Sequence, residues 1–210
     1  NATETDIQAL AEAKKRQKLI IRPIVIAKPG GTKSGDGLAI KQTDKYIKIM
    51  LADGLGHGPE ANKAINEAAA AFNVFQGYSP IETLRFIHPL IKKTRGAVIS
   101  IVGYDFLSRT WTSAGIGNIA TRMVGPSSVR NQMSYNGIVG HNIPNCMNDQ
   151  EYSSEQYSEI ILCSDGIKTR WDLSKYPMIS KYDLSILSAA IYKDQARKTD
   201  DMSVISAKII

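Results

Sequence analysis

Four aspartates in this 210-residue chain stand where side chains can gather around a cation: Asp36 in SGDG, Asp53 in ADGLGHG, Asp165 in CSDG and Asp200 in KTDDMS. Each falls at the end of an expected strand or in the turn beside it, and three are followed directly by glycine. Strand ends on one edge of a sheet sandwich converge in space even when they are far apart in sequence. Glycine lets the backbone turn sharply and approach closely there. Carboxylates and carbonyls are the hard oxygen ligands that magnesium and manganese prefer. Carboxylates crowded without a cation repel and raise one another's pKa. Two divalent ions about 3.5–4 Å apart relieve that repulsion, activate a water and clamp a phosphoryl oxygen. A single Asp-Gly pair is ordinarily a turn; the weight here rests on four such residues in the same setting.

Other chemistries find less support. His57 and His141 are candidate ligands or bases, but the three histidines lack a metal-ligand spacing such as H-x-x-x-H. No G-x-S-x-G element occurs, and Ser164 beside Asp165 supplies no nucleophile–base pair.

The elements that must carry the aspartates are legible from periodicity. Residues 4–18 read as a helix with a narrow apolar stripe (Ile7, Leu10, Ala11), so 1–18 is taken as an N-terminal helix or linker and 19–210 as one domain. Leu19–Ala27 reads as a strand, Lys28–Gly37 as a loop, and Leu38–Gln42 with Tyr46–Ala52 as a hairpin leading into Asp53. Pro59–Gln76 is alanine-rich and helical. Ser79-Pro80-Ile81-Glu82 is a capped helix start, and that helix is expected to run to Lys93 with a kink at Pro89. Gly96–Tyr104, Thr110–Ile116, Ile119–Val124 and Val129–Tyr135 alternate with period two and suggest an antiparallel meander. Tyr157–Ser164, a short helix near Leu184–Tyr192 and a final strand Met202–Ile209 complete the chain. The expected class is α+β, two antiparallel sheets with helices outside.

Composition is that of a globular domain: 43% hydrophobic and 22% charged. No run approaches the roughly 18 apolar residues of a membrane helix. Two cysteines, Cys146 and Cys163, make no disulfide framework, and a reducing cytoplasm is expected. Cys163, inside an apolar run, is expected to be a buried thiol. The net charge of +6 suits either nucleic acid or an acidic phosphoprotein. The basic residues are scattered, densest at Lys14–Lys18, with no base-reading motif beside them, so nucleic acid is not expected.

In this order the segments SGDG, ADGLGHG, SAGIGN (Ser113–Asn118), CSDG and TDDMSV (Thr199–Val204) resemble the metal-dependent protein phosphatases (PPM family), and more narrowly their bacterial SpoIIE-type branch. RGAVISI from Arg95 and GIVGHNIP (Gly137–Pro144) resemble the compact RsbX-like members. The resemblance spans about residues 30–209. It implies an α-β-β-α sandwich and a phosphoserine/phosphothreonine phosphatase using two Mn²⁺ or Mg²⁺ ions, with in-line attack of water on phosphorus. By the same resemblance Asp53 would bridge both metals with the Gly54 carbonyl on one, and Asp165 and Asp200 would hold the second. Asp36 would hold the first, directly or through water, and Asp201 would stand behind the ligands. Ser203 stands where threonine is common, and no counterpart of the eukaryotic phosphate-binding arginine is found; Lys33 or Arg95 could replace it. The resemblance implies a phosphorylated anti-sigma-factor antagonist of STAS type, or a stressosome component, as substrate. It also implies coupling between the helix pair and metal-site assembly; residues 3–18, or an upstream regulatory domain joined to them, are expected to pack near that pair and bias metal occupancy. Two rival readings stand beside it: a silent regulatory module of the same fold, and a magnesium-dependent phosphoryl-transfer enzyme acting on a small molecule.

Overall fold

The computed structural model describes residues 18–176 and 178–210; the helix expected over 4–18 lies outside them, apart from Lys18. Strands β1 (Leu19–Ile26), β2 (Asp36–Gln42) and β3 (Tyr46–Gly54) precede helices α1 (Pro59–Val74) and α2 (Pro80–Leu90). Strands β4 (Ala97–Asp105), β5 (Thr110–Ile116), β6 (Ala120–Val124), β7 (Val129–Asn131), β8 (Gln150–Ser153) and β9 (Glu159–Cys163) follow. Helix α3 (Leu184–Gln195) and strand β10 (Met202–Ile209) close the chain.

Two five-stranded antiparallel sheets form, in the orders β1-β10-β9-β6-β7 and β2-β3-β4-β5-β8. Their stacking explains why β3 reads as an almost continuous apolar run. Alternate side chains face opposite ways along a strand, and both faces of this one are covered. Ile47, Ile49 and Leu51 pack between the sheets with Val102, Trp111, Ile160, Leu162 and Ile205. Met50 and Ala52 pack outward, beneath Ala68 and Phe72 of α1 and Leu84 and Ile87 of α2. On the other side Ile161, Cys163, Met202 and Val204 meet Leu187 and Ile191 of α3. The result is the four-layer α-β-β-α sandwich expected.

Local chemistry sets the ends. Ser79 Oγ accepts from Glu82 N at 3.2 Å, the cap the sequence predicts. Asp149 also accepts from Ile81 N and from Ser79 Oγ at the same helix start. Helix α2 stops at Leu90 rather than Lys93, directly after Pro89, which has no N–H to donate. Helix α1 stops at Val74, two residues short of Gln76, where Phe75 turns extended.

The expected meander is corrected. Strands β4 and β5 pair in one sheet, while β6 and β7 belong to the other, so the chain crosses between sheets after Ile116. Gly117, at φ +99°, makes the crossing. Period two reveals strands but not which sheet they join. Strand β7 ends at Asn131 rather than Tyr135, and the short β8, which pairs with β5, was not expected. No helix among the described residues is long and apolar enough to cross a membrane.

Candidate metal centre

The antiparallel register of β2 and β3 sets Asp36 directly opposite Asp53. The pairing of β9 with β10, Cys163 near Val204, brings Asp165, just past β9, beside Asp200 and Asp201, just before β10. Those two corners belong to different sheets and are joined across the sandwich edge. Ser203 Oγ donates to Asp36 Oδ2 at 2.7 Å. Gly35 N donates to Asp201 Oδ2 at 2.7 Å, and Lys28 N to Asp201 Oδ1 at 2.9 Å. The Lys28–Gly35 loop, poor in side-chain anchors of its own, is therefore fixed by a carboxylate more than 160 residues away in sequence.

Backbone proximity is tight at this edge. A Cβ on Gly54 would stand 2.6 Å from the Ala61 carbonyl of α1, and one on Gly166 would stand 2.0 Å from the Asp201 carbonyl. Neither position can carry a side chain without moving main chain, which is the physical content of the two Asp-Gly pairs.

The electrostatics match an acidic cluster. Burial, first, and then the charges of Asp36, Asp165, Asp200 and Asp201 push the Asp53 carboxyl up to about 9. Burial likewise raises Asp36 to about 6, against the hydroxyls of Ser164 and Ser203, which favour its charged form. Among the described residues no three His, Cys, Asp or Glu side chains are already closed around a single point as a metal cage. Like charges gain nothing by closing up without a cation between them. The donor set is entirely hard oxygen, with strong mutual repulsion for a cation to relieve, and so fits Mg²⁺ or Mn²⁺.

All five aspartates named from the sequence, with Gly54, gather at this edge. Arg95 reaches it too: its Nη1 lies 2.7 Å from where a Cβ on Gly56 would stand, in the turn after Asp53. Lys33 is exposed in the Lys28–Gly35 loop. His57 is exposed, and His141 Nε2 is engaged with the Arg95 carbonyl at 2.8 Å; neither joins the carboxylates in any described contact. Sequence reasoning missed two supports. The hydroxyls of Ser164 and Ser203 hold Asp36, and Asn118 Nδ2 donates to Asp165 Oδ2 at 3.2 Å. Asn118 stood in plain view in SAGIGN, but nothing in the motif says which carboxylate it reaches. A cavity of about 530 Å³ lined by Ile20, Leu173, Tyr176 and Leu187 lies elsewhere, and none of the five aspartates lines it.

Comparison with known proteins agrees with this layout. No family model matches the sequence. Phosphoserine phosphatase RsbX of Bacillus subtilis is 31% identical over 103 residues, 48% of this chain and 50% of RsbX. A solved structure from work on the bacterial stressosome, a modular system adapted to control secondary messenger signalling, superposes with TM-score 0.82 at 26% identity. It covers 91% of this chain and all of that one. The chain has the fold of the PPM phosphatases and is similar in sequence to RsbX over about half its length. RsbX in complex with magnesium shares the PPM fold at TM-score 0.78 and 20% identity, over 93% of this chain and 96% of that one. The sequence match spans only about half the length of the curated RsbX.

Proposed function

We propose that this PPM domain is a metal-dependent protein serine/threonine phosphatase. The observation that carries the reading is the meeting of Asp36, Asp53, Asp165, Asp200 and Asp201 at one edge, with Asp53 pushed up to about 9 by burial and by its four neighbours. In this reading Asp53, the Gly54 carbonyl, Asp36, Asp165 and Asp200 would hold the ions, with Asp201 behind them. Bound there, Mn²⁺ or Mg²⁺ would lower the pKa of water and offset charge on the phosphoryl oxygens.

The chain's own residues do the rest. The hydroxyls of Ser203 and Ser164 hold the Asp36 carboxylate in place. Asn118 orients Asp165. Asp201 keeps the Lys28–Gly35 loop against the edge through two backbone N–H groups. Of the two basic residues considered for the phosphate, Arg95 is better supported, because it lies against the turn that carries Asp53 and Gly54. Its planar guanidinium can meet two phosphoryl oxygens at once. Lys33 is the weaker second.

The substrate in this reading is a phosphorylated anti-sigma-factor antagonist of STAS type, or a stressosome component; likeness to phosphoserine phosphatase RsbX and to a structure from work on the stressosome supports it. A silent binding module of the same fold is the alternative, but it has no reason to retain all five carboxylates at the cost of their repulsion. A panel of phosphoseryl and phosphothreonyl proteins against small phosphometabolites, with Mn²⁺, tests the assignment. Turnover concentrated on phosphoproteins is expected. Turnover confined to small phosphates would overturn the protein-phosphatase reading, and none on either would favour the silent module.

A further inference from the structure

Basic residues that are scattered in sequence converge around the aspartate edge. Lys28 lies on it through its backbone N–H to Asp201. Lys33 follows in the same loop, two residues before Gly35, whose N–H also binds Asp201. Arg95 lies against Gly56 on the opposite flank. On the third flank Arg197 N donates to the Gly166 carbonyl at 2.8 Å, next to Asp165, and Ile167 bridges Ala196. Lys198 follows at φ +60°, a left-handed conformation that a lysine adopts only when its surroundings impose it. It stands two residues before Asp200.

Lys33, Arg95, Arg197 and Lys198 are exposed. Among the described residues the ion pairs are Arg22–Asp183, Arg85–Glu82 and Lys208–Glu159. None of the five rim side chains takes part in one, although five carboxylates lie a few residues away. Among the described residues these cations, so close to an acidic cluster, are unpaired with it and remain available to a ligand's charges. The cluster itself is what divalent ions would neutralise, so the rim sets the sign of the field that an approaching substrate meets.

We propose, resting on the phosphatase reading above, that this rim selects phosphorylated protein segments with acidic residues flanking the phosphorylated side chain. The phosphate goes to the aspartate edge and Arg95, and carboxylates on either side go to Lys28 and Lys33 and to Arg197 and Lys198. A phosphopeptide is favoured over nucleic acid because the rim encloses a site for one phosphate and the aspartates repel a continuous phosphate backbone.

The test uses the whole chain with Mn²⁺ and two phosphothreonine peptides of equal length, one flanked by glutamates and one by glutamines. Each exposed pair is worth a factor of about two to five, so a kcat/KM preference of at least about tenfold for the acidic peptide is expected at low salt. It should shrink towards equality near 1 M salt. Changing Arg197 and Lys198 together to glutamine should raise KM for the acidic peptide and reduce the preference, with kcat little changed. Arg197→Gln alone, at an exposed position, is the second variant should the double one not fold. Equal turnover of both peptides overturns this inference and leaves the phosphatase reading standing. Hydrolysis of p-nitrophenyl phosphate but of neither peptide overturns both. A preference that survives high salt and the substitutions also overturns it, as does stronger inhibition by single-stranded RNA than by an acidic peptide.

Discussion

Asp53 concentrates the account. Its neighbours on both sheets raise it, and it is the residue proposed to touch both ions. Asn keeps its size and removes its charge. In metal-free protein Asp53→Asn removes the cost of burying and protonating this carboxyl beside Asp36, Asp165, Asp200 and Asp201, so its melting temperature is expected to equal or exceed that of the wild type. With Mn²⁺ the order reverses. The wild type gains stability by mass action, and the variant gains little and loses about two orders of magnitude or more in turnover. Paired thermal melts with and without Mn²⁺ read this directly. A variant with a full metal-induced shift would place the bridge on another carboxylate. At this scale the sequence was most informative, because an Asp at a strand end keeps its meaning whatever the sheet order. The Ser203–Asp36 bond was out of reach, since residues 167 apart in sequence meet only through the stacking of the two sheets.

Among the elements, β3 links the site to the helix layer. Its far end carries Lys48, fully buried, with Nζ donating to the Gly77 carbonyl at 2.6 Å and to Thr83 Oγ1 at 3.0 Å. The rings of Phe75, Phe72 and Tyr46 stand 5.0, 5.3 and 5.9 Å from the same atom. The ammonium thus holds the elbow between α1 and α2 without a carboxylate partner. Burial, then the nearby Lys41, lowers its pKa to about 8. Between pH 8 and the unfolded value near 10.4 the unfolded chain binds the extra proton, so stability contributed by this group rises with pH. The wild type should therefore gain on Lys48→Met by on the order of 1–3 kcal/mol between pH 7 and pH 10, measured by urea unfolding. A constant difference across that range would mean the lysine titrates normally in the fold. Sequence periodicity gave β3 its place but could not flag this lysine, because a single charge in an apolar run is also how an exposed strand position looks. For the same reason the change of sheet at Gly117 and the short β8 escaped it. The helix starts were legible because Ser79 and Pro80 act locally.

For the molecule as a whole, the sandwich brings together residues the linear order separates. Its apolar layers were readable from composition and period. The convergence of two sheet corners on one edge was readable only through the resemblance in motif order, and of the basic rim only Lys33 and Arg95 were named, since its members share no local pattern. The claim that unites these scales is that the edge works only when cations fill it. The most direct test is release of inorganic phosphate from a phosphoseryl peptide by protein stripped of metal, titrated with Mn²⁺ and then with EDTA. The account predicts no turnover in the stripped protein, a saturable rise with Mn²⁺ and abolition by the chelator. Undiminished turnover in EDTA would contradict it.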